Sequence, residues 1–132
     1  MNLLTEHFSV EEMLRSSYAQ RNGISNAPDT SSYYKILFNL GRLCSIVLEQ
    51  VRLILRKPII INSGYRNFEV NKAVGGVSNS RHLTGCAADF SIKGLSKAEV
   101  ENLKAWSRMN TDVKEFIVHD TYIHIAIAEI NL

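Results

Sequence analysis

The chain has 132 residues, of which 45% are hydrophobic and 21% charged, and this composition predicts one globular domain over 1–132. A net charge of +2, with scattered Lys and Arg residues, argues against a nucleic-acid partner. The apolar runs are too short for a membrane span, and the N-terminus lacks the pattern of a signal peptide.

Helical patterns dominate the first half of the chain. Ser9 and Glu12 have the spacing of a capping box, which predicts that a short helix begins there. A turn-rich segment over 20–29 follows, and apolar residues at helical spacing then predict a long helix over about 31–56. Cys44 lies on the apolar side of this helix, so we expect a buried free thiol.

The middle of the chain changes from helix to strand. Pro58 ends the long helix, and the β-branched run at 59–62 predicts a buried strand. A short helix over 67–73 and a glycine-bearing loop follow. The run at 87–92 then predicts a second strand.

The last third of the chain predicts a helix and a hairpin. Ser96 and Glu99 form another capping box, which opens a helix that ends at about Met109. Strand patterns at 116–118 and 122–127 flank a short turn. The predicted class is therefore α+β, with a small, mainly antiparallel sheet packed against helices.

The most distinctive chemistry lies in the run SRHLTGCAAD at residues 80–89. It contains His82 and, seven residues later, Asp89, while His124 lies in the last predicted strand. Two imidazoles and one carboxylate leave a fourth position for water, which is typical of catalytic zinc. Such a zinc ion activates water and polarises a carbonyl, so the set predicts metal-assisted hydrolysis.

Simpler roles stay open for these residues. A histidine considered alone is more often an exposed or hydrogen-bonded core residue than a metal ligand. Cys86 lies four residues after His82 and would form a ligand pair with it only in a helix, which Gly85 disfavours. We expect Cys86 to be a free thiol, although a disulfide with Cys44 is compatible with the sequence. The joint occurrence of both histidines with Asp89 favours the metal site.

The run at 80–89 resembles the motif Ser-x-His-x-x-Gly-x-Ala-x-Asp of the zinc D-Ala-D-Ala carboxypeptidases. Vancomycin-resistance D-Ala-D-Ala dipeptidases and phage L-alanyl-D-glutamate endolysins share this motif, and their fold is also that of the hedgehog signalling domain. Segments 57–66, 71–76 and 122–125 resemble further blocks of a compact subgroup. The resemblance thus extends over most of the chain and implies this fold.

The resemblance also implies roles for individual residues. Its implied zinc ligands are His82, Asp89 and His124. Arg66 would lie near the substrate carbonyl and stabilise the developing oxyanion, with a structural ion pair to Glu69 as the alternative. Ser80 would hydrogen-bond the substrate backbone or the site loop, or would be a simple turn residue.

The general base is where the chain departs from the family. Family enzymes carry an acid three residues, or a histidine two residues, before the last ligand. Thr121 and Tyr122 occupy these positions here, and neither is a good base at neutral pH. Strand alternation predicts that Asp120 shares a face with His124, which makes Asp120 the first candidate, with a plain turn residue as its alternative. His119 is the next candidate, and Glu115, on the far side of the turn, is a weaker one.

The resemblance implies a zinc-dependent peptidase that hydrolyses a peptidoglycan stem peptide, of the D-Ala-D-Ala carboxypeptidase or L-Ala-D-Glu endopeptidase type. The alternative is a catalytically impaired zinc-containing module that binds cell-wall peptide or a protein partner, which the missing base favours. We expect a soluble monomer that is made in the cytoplasm and acts at the bacterial cell wall. The absence of a visible signal peptide fits a phage or prophage origin.

Overall fold

Four strands form one antiparallel sheet in the computed structural model, which describes residues 2–130. These strands are β1 (Ile61–Ser63), β2 (Ala87–Ser91), β3 (Val113–Val118) and β4 (Tyr122–Ile127). Their order across the sheet is β1-β2-β4-β3, so β4 lies between β2 and β3 although it comes last in the chain. The described residues also form six α-helices, and the predicted α+β class is confirmed.

The helices are α1 (Val10–Leu14), α2 (Ser17–Asn22), α3 (Tyr33–Leu43), α4 (Glu49–Leu55), α5 (Phe68–Ala73) and α6 (Lys97–Met109). All of them except α2 correspond to predicted ones, whereas α2 was not predicted and extends into the segment over 20–29 that was expected to be turn-rich. A π-helical segment, Cys44–Leu48, joins α3 to α4, so the predicted long helix is continuous. It ends where Arg56 adopts a left-handed conformation with a φ of 56°. Among residues 2–130, no helix has the length and apolar character to cross a bilayer.

Serine caps begin α1 and α6, as their sequences predict. The Ser9 hydroxyl accepts a hydrogen bond from the Glu12 backbone N–H at 3.1 Å. At α6 the capping box is complete, because Ser96 Oγ accepts from Glu99 N while Glu99 Oε1 accepts from Ser96 N. Both helices therefore begin where side chains satisfy N–H groups that have no partner within the helix.

Strand β1 begins later than predicted. Regular pairing starts at Ile61, and the register between β1 and β2 shifts before Ser63. Ile60 still accepts a hydrogen bond from Ser91 N through its carbonyl, at 2.9 Å. The β-branched run thus enters the sheet as predicted, but the irregular pairing shortens the strand itself.

The two faces of the sheet differ in chemistry. Ala88, Phe90, Ile123 and Ile125 are fully buried and belong to one core cluster with the apolar residues of α3 and α4. Successive residues of a strand point to opposite faces, so the residues between these four face the other side. This second face carries the polar groups of the candidate site.

Both cysteines lie in the core as free thiols, as predicted. Burial is the largest effect on the pKa of Cys44 and of Cys86, and it raises both above the ordinary thiol value. The thiolate is the reactive form of cysteine, so neither side chain is primed for nucleophilic chemistry or metal binding.

Glu49 fixes the N-terminal segment to the long helix. Its Oε2 accepts hydrogen bonds from Thr5 Oγ1 at 2.7 Å and from His7 N at 2.9 Å. Its Oε1 lies 2.7 Å from His7 Nδ1. Burial raises the pKa of Glu49, but the hydrogen bonds from His7 and Thr5 together outweigh it and leave the pKa below its ordinary value.

We expect Glu49→Gln to lower the free energy of unfolding by about 1–2 kcal/mol at neutral pH, because hydrogen bonds to a charged group are the stronger ones. The unfolded-state pKa of a glutamate is about 4.3, and a carboxyl group whose pKa is lower in the folded state stabilises the protein fully above this pH. The stabilisation is lost as the pH falls through the folded-state pKa. Urea unfolding should therefore show a difference between wild type and variant that shrinks in acid. Glu101→Gln, at an exposed position of α6, is the control, and a difference that is constant with pH would contradict the prediction.

Candidate metal centre and cavity

Strand pairing brings Asp89 and His124 side by side. Asp89 in β2 lies directly opposite His124 in β4, and Ser63 of β1 lies opposite Asp89 on the other side. Opposite residues of antiparallel strands project to the same face of the sheet, with their Cβ atoms about 4.5–5.5 Å apart. Two of the three predicted ligands therefore become neighbours although 35 residues separate them in the chain.

His82 enters from the short 3₁₀ turn Arg81–Thr84 that leads into β2. Ser80 caps this turn, since its hydroxyl accepts a hydrogen bond from His82 N at 3.1 Å. Gly85 ends the turn with a φ of 79°, a conformation that side-chain-bearing residues rarely adopt. A Cβ at this position would also lie 3.0 Å from the Ile36 carbonyl oxygen. Steric constraints therefore explain why the motif has glycine at this position.

The three predicted ligands present their donor atoms to one common point. Donor atoms of His82, Asp89 and His124 all lie within 4.8 Å of one another. Asp89 Oδ1 lies 3.2 Å from His82 Nε2 and 2.9 Å from His124 Nδ1. Donors around a tetrahedral zinc ion are about 3.3 Å apart, given zinc–ligand distances of about 2.0–2.1 Å. The donor set and its spacing both fit zinc.

The second ring nitrogen of each histidine, on the side away from Asp89, has a hydrogen-bond partner in the protein. His82 Nδ1 lies 2.6 Å from the Gly64 carbonyl oxygen, which can only accept, so Nδ1 carries the proton. His124 Nε2 lies 2.8 Å from Glu115 Oε1. With these outer partners, Nε2 of His82 and Nδ1 of His124 are the nitrogens that are available to a metal.

The carboxylates of the site stay ionised. Burial raises the pKa of Asp89, but His124 and His82 lower it by more, and the pKa lies well below its ordinary value. Burial likewise opposes ionisation of Glu115, while His124 and Arg81 lower its pKa overall. For His124, burial lowers the pKa and the carboxylates of Asp89 and Glu115 raise it, with a net rise. The histidine pair thus faces fixed negative charge.

Arg66 contacts the metal centre and not its predicted alternative partner, Glu69. Its Nη2 donates to Asp89 Oδ2 at 3.1 Å, while its Nε and Nη1 donate to Ser63 Oγ and Asn71 Oδ1 at 3.0 and 3.2 Å. The guanidinium is therefore held by three acceptors beside a ligand. It also lines the cavity described next.

A cavity of about 610 Å³ opens over the metal centre. Its lining includes all three predicted ligands, together with Arg66 and Ser80. The structure thus brings together five of the six residues to which the sequence assigned a site role. The sixth, Asp120, is absent from the lining, is exposed, and lies in the turn before β4.

Asp120 lies outside the regular part of the hairpin. Strand alternation does not extend beyond Tyr122, where β4 begins, so the expectation that Asp120 shares a face with His124 requires correction. Ile117 of β3 pairs with His124, and alternate residues on either side of Ile117 face the cavity. These two residues are Glu115 and His119, and both line it.

His119 was the second candidate from the sequence and Glu115 a weaker one, and both line the cavity. The His119 ring stacks on Tyr122 with a centroid distance of 4.3 Å, and its backbone N–H donates to the Tyr122 carbonyl at 2.8 Å. Glu115 contacts His124 directly. The signal that would have identified both is the register of the hairpin, in which residues 117 and 124 pair.

The fold and site together define a class of protein, namely a small α+β domain with a candidate three-ligand metal centre beneath an open cavity. A family model described as peptidase M15 matches residues 6–126, and the chain belongs to this family. It is similar to a zinc D-Ala-D-Ala carboxypeptidase of Streptomyces albus G, with 58% identity over 34 residues. That match covers 26% of this chain and 13% of the relative. The predicted family is confirmed, and the donor set of His82, Asp89 and His124 fits the zinc ion that the resemblance implied.

Proposed function

We propose that this protein is a zinc-dependent peptidase that hydrolyses an amide bond in a peptidoglycan stem peptide. The observation that carries the proposal is the His82, Asp89 and His124 donor set beneath an open cavity, in a chain of the peptidase M15 family. Zinc, when bound, supplies the Lewis acidity that activates a water molecule and polarises the scissile carbonyl. The name of the Streptomyces albus G relative supports D-Ala-D-Ala as the first bond to test.

Arg66 is proposed to stabilise the negative charge that develops on the carbonyl oxygen. Its guanidinium lines the cavity and is held in place by Asp89, Ser63 and Asn71. A cation fixed before the reaction starts needs no reorganisation as the charge develops, which makes such groups effective. Ser80 supports the site indirectly in this scheme, because its hydroxyl holds the turn that carries His82.

His119 is proposed as the general base in place of Asp120. Its imidazole lines the cavity, and the stacked Tyr122 ring together with the backbone hydrogen bond fixes its position. One ring nitrogen would accept a proton from the attacking water and later deliver it to the leaving amine. Glu115 is less suited, since His124 and Arg81 already occupy its two oxygens.

Two apolar side chains give the cavity a preference for small apolar substrate groups in this proposal. Val77 and Ile117 are exposed, with 66% and 48% of their surface accessible, and both line the cavity. The D-Ala-D-Ala and L-Ala-D-Glu bonds of a stem peptide both have an alanine methyl group next to the scissile amide. Transfer of such a methyl group from water to an apolar surface has a favourable free energy. The site of action that follows is the bacterial cell wall.

Cleavage of defined stem peptides tests the proposed function. The zinc-loaded protein should release the terminal D-alanine from a pentapeptide that ends in D-Ala-D-Ala, or cut between L-Ala and D-Glu, and mass spectrometry distinguishes these products. A chelator should stop the reaction and added zinc should restore it, because the chain's own groups lack a Lewis acid. A pentapeptide ending in L-Ala-L-Ala is the control. Stoichiometric zinc binding without cleavage of any stem peptide would favour a binding module instead.

A further inference from the structure

We propose that Glu115 is a positioning residue for the ligand His124 and that Arg81 holds Glu115 in place. Glu115 Oε1 lies 2.8 Å from His124 Nε2, the ring nitrogen on the side away from Asp89. Arg81 Nε donates to the other oxygen, Glu115 Oε2, at 3.4 Å. This role goes beyond the proposed peptidase activity, because it concerns how the protein prepares a metal ligand.

The contact selects one form of the imidazole. A neutral histidine carries its proton on one ring nitrogen, and a carboxylate acceptor beside Nε2 of His124 keeps the proton there. The lone pair of Nδ1 then remains available for a metal ion at the point that His82 Nε2 and Asp89 Oδ1 also face. A carboxylate in this outer position also raises the basicity of the ligating nitrogen.

The two ligand histidines receive different outer partners. His82 has the neutral carbonyl of Gly64, held by the backbone of the loop after β1, whereas His124 has a charged side chain from β3. The Glu115 side chain is 39% exposed and would have several rotamers without a second contact. His124 therefore depends on an acceptor that must itself be held.

Arg81 supplies that second contact. Its Nη1 donates to the Ile127 carbonyl at 3.1 Å, which fixes the guanidinium at the end of β4. From there it reaches Glu115 Oε2, so each carboxylate oxygen has its own donor. Because Arg81 precedes His82 in the chain, the same short turn positions the ligand His82 and holds Glu115, the partner of the ligand His124.

Zinc affinity tests the proposal without any need for turnover. The full chain is titrated with zinc in competition with a chromophoric chelator. Glu115→Ala should bind zinc about 10–100-fold more weakly, the usual effect of losing an outer partner. Glu115→Gln should stay within a few-fold of wild type, because the amide oxygen can still accept from Nε2–H. Glu101→Ala, which removes an ion-paired carboxylate on α6, should change nothing.

Arg81→Met is a second route to the same result. It should weaken zinc binding several-fold in the wild-type background and have no further effect in Glu115→Ala, because it acts through that residue. Unchanged thermal unfolding of the zinc-free variants would exclude a folding defect, and Arg81→Met decides the matter if Glu115→Ala does not fold. Wild-type zinc affinity in Glu115→Ala, or equal losses in the Ala and Gln variants, would overturn the proposal. A protein that binds zinc as described but cleaves no peptide would refute only the peptidase function.

Discussion

Zinc binding should be lost when Asp89 is replaced by asparagine, and stem-peptide cleavage should be lost with it. Asp89 Oδ1 lies within hydrogen-bond distance of both ligand nitrogens, 3.2 Å from His82 Nε2 and 2.9 Å from His124 Nδ1. Removal of an outer partner already weakens metal binding about 10–100-fold, so loss of the one anionic ligand should exceed that range. The amide keeps the size of the side chain and removes its charge.

The zinc content of Asp89→Asn after gel filtration, measured by elemental analysis, checks this expectation. Ser91→Ala is the matched control because Ser91 lies on the same strand and the same face, two residues beyond Asp89. The Asp89→Asn substitution also leaves Arg66 without its anionic partner, so circular dichroism must show that this variant keeps its fold. Stoichiometric zinc in a folded Asp89→Asn protein would remove Asp89 from the metal centre.

His82, Asp89 and His124 could be grouped as candidate ligands from the sequence because a local motif and one recognisable strand carry them. The spacing of His82 and Asp89 belongs to a turn that runs directly into β2, and Gly85 satisfies a local backbone demand. His124 needed only its place in the last strand, which alternating hydrophobicity identifies. These assignments required no knowledge of how distant segments meet.

The candidate bases and the partner of Arg66 depend on distant contacts. Glu69 was the natural partner by proximity in sequence, but Arg66 pairs with Asp89 across 23 residues. Glu115 lies on the far side of the turn in the sequence, yet the hairpin folds β3 back along β4 and places Glu115 beside His124. Sequence patterns locate strands well, whereas the register between them is set by packing and turn geometry.

The first candidate base, Asp120, lies just beyond the point where strand periodicity ends. Alternation is valid within a strand, and the prediction extended it from His124 through Tyr122 to a residue in the turn. β3 ends at Val118 and β4 begins at Tyr122, and the Tyr122 carbonyl still accepts a hydrogen bond from His119 N, which extends the pairing by one residue. Asp120 and Thr121 lie beyond this pairing and no longer follow the period of two. His119 keeps the alternation of β3 and faces the cavity, while Asp120 does not line it.

Replacing His119 with alanine should therefore lower kcat for stem-peptide cleavage by about 10²–10⁴-fold, the usual contribution of a positioned general base. Zinc stoichiometry should stay at the wild-type value, since His119 is not one of the three grouped donors. Steady-state kinetics at saturating zinc, together with the zinc content of the same preparations, measures both quantities. This combination separates loss of a base from loss of the metal.

Asp120→Asn is the matched control for His119→Ala, because it changes the adjacent residue of the same turn and lies outside the cavity lining. It should leave kcat unchanged. Tyr122→Phe keeps the ring against which His119 stacks, and normal turnover in this variant would exclude the phenol as the base. If Asp120→Asn loses activity while His119→Ala keeps it, the turn must rearrange when substrate binds, and Asp120 regains the role of base. Loss of activity in His119→Ala alone would assign proton transfer to the end of β3, on the opposite strand of the hairpin from His124.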